Sequence, residues 1–249
     1  MTDFIEKTTS EPLISIITVV YNMVDSIEQT ILSVLNQTYK NIEYIIIDGG
    51  STDGTSNVIK KYENKLAYWI SRPDKGIYDA MNKGKNIATG DFVFFLNSKD
   101  TFFRNNVVEK FVSKISDTNY VYYGDAYLTG SNRIYDNKFS SFKLALKNIC
   151  HQSIFYPEQV YRNFDFDPKY KILSDYHYNL IIFPLYRFHY INEIISYYDT
   201  EGISSNKKDT DFYKDHNMLI IKNLGLAELF YKFLMRIVNK IKKICRVNA

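Results

Sequence analysis

Short apolar segments that alternate with amphipathic ones constrain the fold of this chain more than any other feature of its sequence. Residues 14–21, 42–48 and 91–96 are apolar runs with the length of buried strands. Between the first two runs, residues 25–37 carry apolar side chains at helical spacing. Strands that alternate with helices are typical of an α/β fold in which helices flank a mostly parallel, Rossmann-like sheet.

The remaining segments complete this pattern. Further strands are predicted at residues 66–70, 120–128, 150–156 and 188–198. Further helices are predicted at residues 54–62, 77–88, 105–115 and 174–183. The segments at 120–128 and around 133–146 are short and aromatic, so we expect them to be antiparallel additions to the sheet. We place one α/β domain at 12–216, after an N-terminal tail at 1–11 and before a C-terminal segment at 217–249.

The C-terminal segment differs in charge and pattern from the rest of the chain. Its apolar side chains form one helical stripe between residues 226 and 244, and seven Lys or Arg residues accompany a single acid, Glu228. The segment therefore carries a net charge of +6, whereas the whole chain carries +3. A basic amphipathic helix suits an anionic membrane surface; the alternative is that it packs on the domain or on a partner subunit.

The sequence lacks the motifs of several common classes of protein, which disfavours those classes. Val20-Tyr21-Asn22 follows the first strand where a dinucleotide-binding loop would read GxGxxG, and no GxxxxGK[ST] loop occurs. Cys150 and Cys245 have no metal or redox spacing, which favours a reduced, cytoplasmic setting. Neither a signal peptide nor a spanning helix is predicted. The 22 Tyr and 17 Phe are expected mainly in the core, although exposed rings can also stack on sugars.

Acidic and amide residues follow or flank several of the predicted strands. They are Asp48, Asp53, Asp79, Asn82, Asn97 and Asp100. Because the carboxyl ends of parallel strands meet at one edge of a sheet, we expect these side chains to converge on one crevice. Carboxylates repel a diphosphate unless a hard cation lies between them, and oxygen ligands suit Mg²⁺ or Mn²⁺. Taken singly, each aspartate is more typical of a turn or a helix cap.

Three ordered blocks of sequence resemble the family 2 glycosyltransferases of GT-A fold. They are SIITVVYN with SVLNQTYKNIEYIIIDGGSTDGT, then RPDKGIYDAMNKGKNIATGDFVFFLNSKD, then HQSIFY with LSDYHYNL. The form of the second block is most similar to bacterial members that build O-antigen, capsule or exopolysaccharide. The resemblance implies a hexosyltransferase that uses a nucleotide sugar, expected to be a UDP-sugar. The implied acceptor is a lipid-linked saccharide at the inner face of the cytoplasmic membrane, and no nucleic-acid partner is expected.

The resemblance also implies a donor-binding site. The residues expected to line the base pocket are Thr18, Val19 and Tyr21. Those expected at the uridine, the diphosphate or the sugar are Asp48, Asp53, Lys75, Asp79 and Asn82. Relatives commonly carry a second aspartate where this chain has Gly49 and an arginine where it has Met81. Fewer base and phosphate contacts are therefore expected.

The metal-binding motif of the family matches Asn97-Ser98-Lys99-Asp100 in this chain. Asp100 is expected to bind Mg²⁺ or Mn²⁺, and Asn97, Ser98 and Lys99 are expected to lie against the donor. The Lys99 ammonium either supplies part of the charge that neutralises the diphosphate or points to solvent.

On the acceptor side, an inverting reaction needs a carboxylate across the sugar from the diphosphate. Asp175 matches the family's base, and His151 and Gln152 match a recurring pair that orients the acceptor or the leaving group. The residues alone also allow a helix cap for Asp175 and a structural role for His151. Two other functions remain open: a donor-binding or scaffold subunit with weakened catalysis, and a nucleotidyltransferase, although no triphosphate loop is visible.

Overall fold

The computed structural model describes residues 11–135, 137–199 and 208–247. The predicted tail at 1–11 lies outside these residues except for Glu11. The strands are β1 (Ile14–Val20), β2 (Ile42–Asp48), β3 (Tyr68–Ser71), β4 (Phe92–Phe95), β5 (Thr101–Phe102), β6 (Val121–Leu128), β7 (Arg133–Tyr135), β8 (Ile154–Pro157) and β9 (Phe188–Tyr198). The helices are α1 (Ile27–Leu35), α2 (Thr55–Lys60), α3 (Ile77–Ile87), α4 (Val107–Val112), α5 (Ser141–Leu146), α6 (Glu158–Tyr161), α7 (Ser174–Ile182), α8 (Thr210–Asn223) and α9 (Leu226–Val247).

The sheet is mixed, and its order is β3-β2-β1-β4-β8-β6-β9-β5, with β7 paired to β6. Strands β1 to β4 are parallel to their neighbours within that group. Strand β8 is antiparallel to both β4 and β6, and β6 is parallel to β9. Strands β4 and β9 therefore run in the same direction, so their carboxyl ends lie at the same edge as those of β1 and β2. The predicted α/β class with a mostly parallel, Rossmann-like sheet is confirmed.

Two hydrophobic clusters form the core. Alternation along β1 assigns Ile17 to one cluster and Ile16 to the other, as expected when successive side chains point to opposite faces of a sheet. Helices α3, α5, α7 and α8 contribute to the first cluster, and α1 and α4 to the second. The largest fully buried side chains are all Tyr or Phe, among them Tyr122 and Phe155. The prediction that the aromatic residues serve mainly the core is confirmed.

Two local predictions need correction, and a third is confirmed only in part. Residues 141–146 form the helix α5 and not an antiparallel strand, because the Ser140 hydroxyl accepts the Lys143 N–H and caps a helical turn. Residues 151–153 form a 3₁₀ turn, so β8 begins only at Ile154. The antiparallel pairing expected for residues 120–128 is confirmed against β7 and β8, but β6 is parallel to β9 on its other side. A pairing between distant strands is set by tertiary packing, which periodicity does not encode.

The C-terminal helix α9 confirms the predicted amphipathic helix. Gly225, with a φ of 129°, separates it from α8. On the side facing the body, Glu228 accepts a hydrogen bond from the Ser141 hydroxyl, and Lys232 is buried. None of the described helices is long and apolar enough to cross a bilayer.

Candidate active site

The turn after β4 lies at the carboxyl edge of the sheet. Backbone N–H groups of Leu96 and Ser98 donate to Ile17 and Val19 at 3.0 and 3.2 Å, so the pairing with β1 continues past the end of β4. The next residue, Lys99, has a φ of 79°, which is uncommon for a residue with a side chain. Lys99 in this conformation reverses the chain toward β5, and the next residue, Asp100, is buried.

Asp100 ties the ends of two strands together. Its side chain is buried, with 3% of its surface exposed. Oδ2 accepts a hydrogen bond from Gln152 Nε2 at 2.9 Å, and Oδ1 accepts one from the Asp199 N–H at 2.9 Å. Asp199 directly follows β9, so this carboxyl group links the carboxyl ends of β4 and β9. Burial raises the pKa of Asp100 to about 7, against the opposing effect of these two donors.

His151 bridges the turn after β4 to helix α7. Its Nε2 lies 2.9 Å from Asn97 Nδ2, and its Nδ1 lies 2.8 Å from Asp175 Oδ2. An amide nitrogen only donates, so Nε2 is the acceptor and Nδ1–H donates to the carboxylate. The Asn97 Oδ1 atom is buried without a hydrogen-bond partner among the described residues.

Asp175 is held by four donors and is 7% exposed. Oδ1 accepts the Tyr78 hydroxyl at 3.0 Å and the Tyr176 N–H at 2.8 Å. Oδ2 accepts Asn148 Nδ2 at 2.9 Å in addition to His151. The helix cap that the sequence allowed for Asp175 is not observed, because the residue lies inside the first turn of α7. Its partners come from three other segments of the chain, which fixes the carboxylate within the site.

The predicted base pocket is only partly open. Thr18 is fully buried, with its hydroxyl 3.0 Å from the Tyr44 hydroxyl, and Val19 is 4% exposed. Both belong to β1, where neighbouring elements cover each face, and their role in a base pocket stays a prediction. Tyr21 lies past the end of β1 and is 58% exposed, so it remains available to a ligand.

Asp48 is also fully buried, and its contact with uridine stays a prediction. Its carboxylate accepts the hydroxyls of Ser51 and Ser71 at 2.5 Å each, so it shapes the turn after β2. A Cβ added at Gly49 would lie 2.6 Å from Asp74 Oδ2. The second aspartate of many relatives would therefore not fit at Gly49 unless Asp74 moved.

Three other predicted donor residues make local structural contacts. Asp53 accepts the N–H and the hydroxyl of Thr55 and the N–H of Val24, so it organises the start of α2. Asp79 accepts the Lys75 N–H at 3.0 Å and the Lys83 ammonium at 2.9 Å, and the contact with Lys83 contributes most to lowering its pKa.

The third is Asn82, whose amide pairs with both backbone polar groups of Phe166 at 2.8 and 2.9 Å. Asn82 thereby fastens α3 to the segment before α7. Both of its amide groups bond within the protein, and its contact with diphosphate or sugar stays a prediction. Lys75, another predicted donor residue in this region, is exposed, as are Arg72 and Ile77.

Hydrogen bonds thus bring together Asn97, His151 and Asp175, and separately Asp100 and Gln152, which neighbours His151. Sequence reasoning missed three of their partners: Tyr78, Asn148 and Asp199. The signal for Asp199 was present, because it is an acidic residue directly after a predicted strand, like Asp48. Tyr78 and Asn148 carried no such signal, since a hydroxyl at a helix start and an amide in a loop are common in any protein.

The described residues do not fit a preformed divalent-cation site. They contain no group of three or more His, Cys, Asp or Glu side chains placed to hold a metal ion. Both oxygens of Asp100 already accept N–H donors, and the cationic Lys99 belongs to the same turn. The sequence-based assignment of Asp100 as the metal ligand is therefore not supported by this geometry.

The sheet order and the strand-end turn at its carboxyl edge match the GT-A architecture. The profile of Glycosyl transferase family 2 matches residues 15–194, so the chain belongs to that family and is a glycosyltransferase enzyme. Among related sequences, it is 29% identical over 213 residues to a PGL/p-HBAD biosynthesis glycosyltransferase of Mycobacterium bovis. That match covers 82% of this chain and 83% of the relative.

Solved structures share the fold. S. aureus TarS 1–349 in complex with UDP superposes with a TM-score of 0.66 at 20% identity, and the match covers 85% of this chain. A mannosyltransferase from Pyrobaculum calidifontis, in complex with GDP-Man and Mn²⁺, gives a TM-score of 0.62 at 16% identity over 91% of this chain. This chain spans 65% of the length of each of those two proteins.

Proposed function

We propose that this chain is an inverting glycosyltransferase that moves a hexose or an N-acetylhexosamine from a nucleotide sugar to a saccharide acceptor. The hydrogen-bonded chain Asn97–His151–Asp175, which joins the turn after β4 to the first turn of α7, carries this proposal. An inverting transfer needs a proton acceptor on the side of the sugar opposite the leaving diphosphate. A carboxylate on a different element from the strand-end turn suits that requirement.

The reaction proceeds by a single displacement. The acceptor hydroxyl oxygen forms a bond to the anomeric carbon while the bond from that carbon to the diphosphate oxygen breaks. The electron pair of the broken bond leaves with the diphosphate, and the hydroxyl proton passes to the Asp175–His151 pair. Tyr78 and Asn148 hold the carboxylate in one orientation, which favours the reaction because a fixed base needs no further ordering.

The proposed donor is a UDP-sugar. The structure of TarS with UDP supports this choice, because its fold covers most of this chain. Tyr21 supports it as an exposed aromatic ring at the end of β1, where a base could stack. Hydrolysis and transfer assays with UDP-glucose, UDP-galactose, their N-acetylated forms and GDP-mannose would identify the donor.

The Asp175→Asn variant tests the proposed chemistry. We expect turnover to fall by about 10³-fold or more, because an amide cannot take the proton, whereas UDP binding measured by calorimetry should persist. Asp211→Asn, an exposed change on α8, is the control for a lost negative charge. Unchanged turnover in Asp175→Asn would remove this carboxylate from the mechanism.

A scaffold subunit with weakened catalysis is the alternative. It is favoured by Met81, which is fully buried where relatives carry an arginine. Multiple turnovers by the wild-type protein with a UDP-sugar and a lipid-diphosphate saccharide would exclude this alternative. Donor binding without any turnover would support it.

We also propose that the acceptor is lipid-linked and that the protein works peripherally at the inner face of the cytoplasmic membrane, in O-antigen, capsule or exopolysaccharide synthesis. Helix α9 supports this proposal because one of its faces is apolar and open to solvent. That face comprises Leu226, Phe230, Phe233, Leu234, Ile237 and Ile241. The exposed Arg236, Lys240 and Lys243 lie beside it, which suits an interface that contains anionic lipid.

Sedimentation with vesicles tests the membrane proposal. Phe230→Ser combined with Ile237→Ser should reduce binding to phosphatidylglycerol vesicles, because the apolar area that enters the interface shrinks. Binding of the wild type should also fall as salt rises, since the cations are screened. Ala227→Ser, on the same helix, is the control. Equal vesicle binding by the double variant and the wild type would contradict a membrane-facing α9.

A further inference from the structure

We propose that the Lys99 ammonium, and not a resident divalent cation, neutralises the diphosphate of the donor in this protein. This inference rests on the proposed function, because it requires a nucleoside diphosphate sugar at the carboxyl edge of the sheet. It assigns to Lys99 the electrostatic role that a divalent cation can have at a diphosphate.

The first support is the environment of Asp100. A divalent cation needs several oxygen ligands with free lone pairs at about 2.0–2.6 Å. The Asp199 N–H and the Gln152 amide each direct a hydrogen atom at one Asp100 oxygen, and the residue is buried. Each oxygen keeps one further lone pair, but a cation bound there would lie beside these positive hydrogen atoms in a buried site, which disfavours it.

The second support is the position of Lys99. The residue follows β4 in a left-handed backbone conformation, where glycine is the usual residue. Its side chain is 37% exposed, and Nζ lies 3.6 Å from Asp199 Oδ2. The Lys99 side chain is thus partly exposed beside Asp199, at the carboxyl end of β9.

The third support is the repulsion between like charges. A divalent cation held by Asp199 or Asp100 would share the turn with the Lys99 ammonium. At about 4 Å, two positive charges near a protein surface repel each other by several kcal/mol. A diphosphate has the opposite effect, since it satisfies the ammonium donors with oxygen acceptors, and charge-assisted hydrogen bonds are among the strongest in proteins.

Calorimetric titration of the full chain with UDP, in EDTA and in MnCl₂, tests the inference. We expect the UDP dissociation constant to be the same under both conditions. Lys99→Met should weaken UDP binding by about 10- to 100-fold, the loss of one hydrogen bond to a charged group, whereas uridine binding should be unchanged. Lys99→Arg should recover most of the affinity, and Lys222→Met, at an exposed site on α8, should have no effect.

The outcomes separate this inference from the proposed function. UDP binding that is lost in EDTA, restored by Mn²⁺ and insensitive to Lys99→Met would overturn the role of Lys99 but leave the glycosyltransferase proposal intact. Failure of the wild type to bind any nucleoside diphosphate or its sugar under either condition would contradict the proposed function, and with it this inference.

Discussion

Individual polar residues at the sheet edge have two distinct uses in this protein. Some make their hydrogen bonds within the protein and stabilise the fold. Asp48, Asp53 and Asn82 shape turns or hold helices in place in this way. Others form the connected path from Asn97 through His151 to the carboxylate on α7. The rule that strand-end residues converge predicted the first group and Asn97, whereas His151 and Asp175 were predicted from the resemblance to the family. Only packing determines which side chains keep an atom free for a ligand.

His151 offers a direct test of that path at the residue scale. His151→Asn should lower the turnover number by about 10²-fold, because Asp175 loses both a donor and the imidazole with which it shares the proton. The UDP dissociation constant should stay unchanged, since we propose that the imidazole acts on the acceptor side. Steady-state kinetics and calorimetry on the same preparation would measure both quantities. A turnover number equal to that of the wild type would show that His151 has only a packing role.

The raised pKa of Asp100 leads us to expect that the stability of the protein depends on pH. Burial raises its pKa from 3.8 to about 7, so the folded state binds a proton that the unfolded chain has already lost at intermediate pH. The folded state therefore loses stability as pH rises from about 4 to about 7, by a total on the order of 4 kcal/mol. The free energy of unfolding in urea should show this fall in the wild type.

The Asp100→Asn variant is the comparison for that experiment. Asparagine keeps the shape and does not titrate, and Gln152 can reverse its amide to preserve the contact. We expect the variant to lack the part of the pH dependence due to Asp100, so that its stability relative to the wild type improves as pH rises. Parallel pH profiles for the two proteins would show that Asp100 has an ordinary pKa.

At the scale of elements, the reactive carboxylate depends on how α7 is held. Asp209 accepts the N–H groups of Ile172 and Leu173, just before α7, and also the Phe212 N–H at the start of α8. One buried carboxylate thus fastens the starts of two helices. Sequence periodicity predicted α7 and the C-terminal helix, but not this link, because it joins backbone groups across a tertiary contact.

Asp209→Ala should therefore destabilise the protein by about 1–3 kcal/mol, the cost of leaving buried N–H groups without acceptors. We also expect a lower turnover number, since the first turn of α7 carries Asp175, the proposed base. Asp211→Ala, in the first turn of α8 but exposed, is the matched control and should change stability by less than about 0.5 kcal/mol. Similar denaturation midpoints for the two variants would contradict the proposed role of Asp209.

For the whole molecule, sequence patterns were sufficient to predict the parallel half of the sheet, but they could not predict the strand order of the other half. Strands β1, β2 and β4 are long apolar runs with one helix or more between them, so connection rules fix their neighbours. The order β8-β6-β9-β5 depends on pairings between distant segments, and the sequence contains no local signal for them. The acceptor side is built on that second half, which is why Asn148 was missed.

The stereochemistry of the product tests most directly whether the sugar is transferred by a single displacement. With the donor found in the screen, proton NMR of the purified product gives the anomeric configuration of the new linkage. We expect the new linkage to be inverted relative to the α- or β-linked donor. Asp175→Asn should form no product under conditions in which that variant still binds UDP. Retention of configuration, or full product formation by Asp175→Asn, would contradict a single displacement assisted by Asp175 and His151.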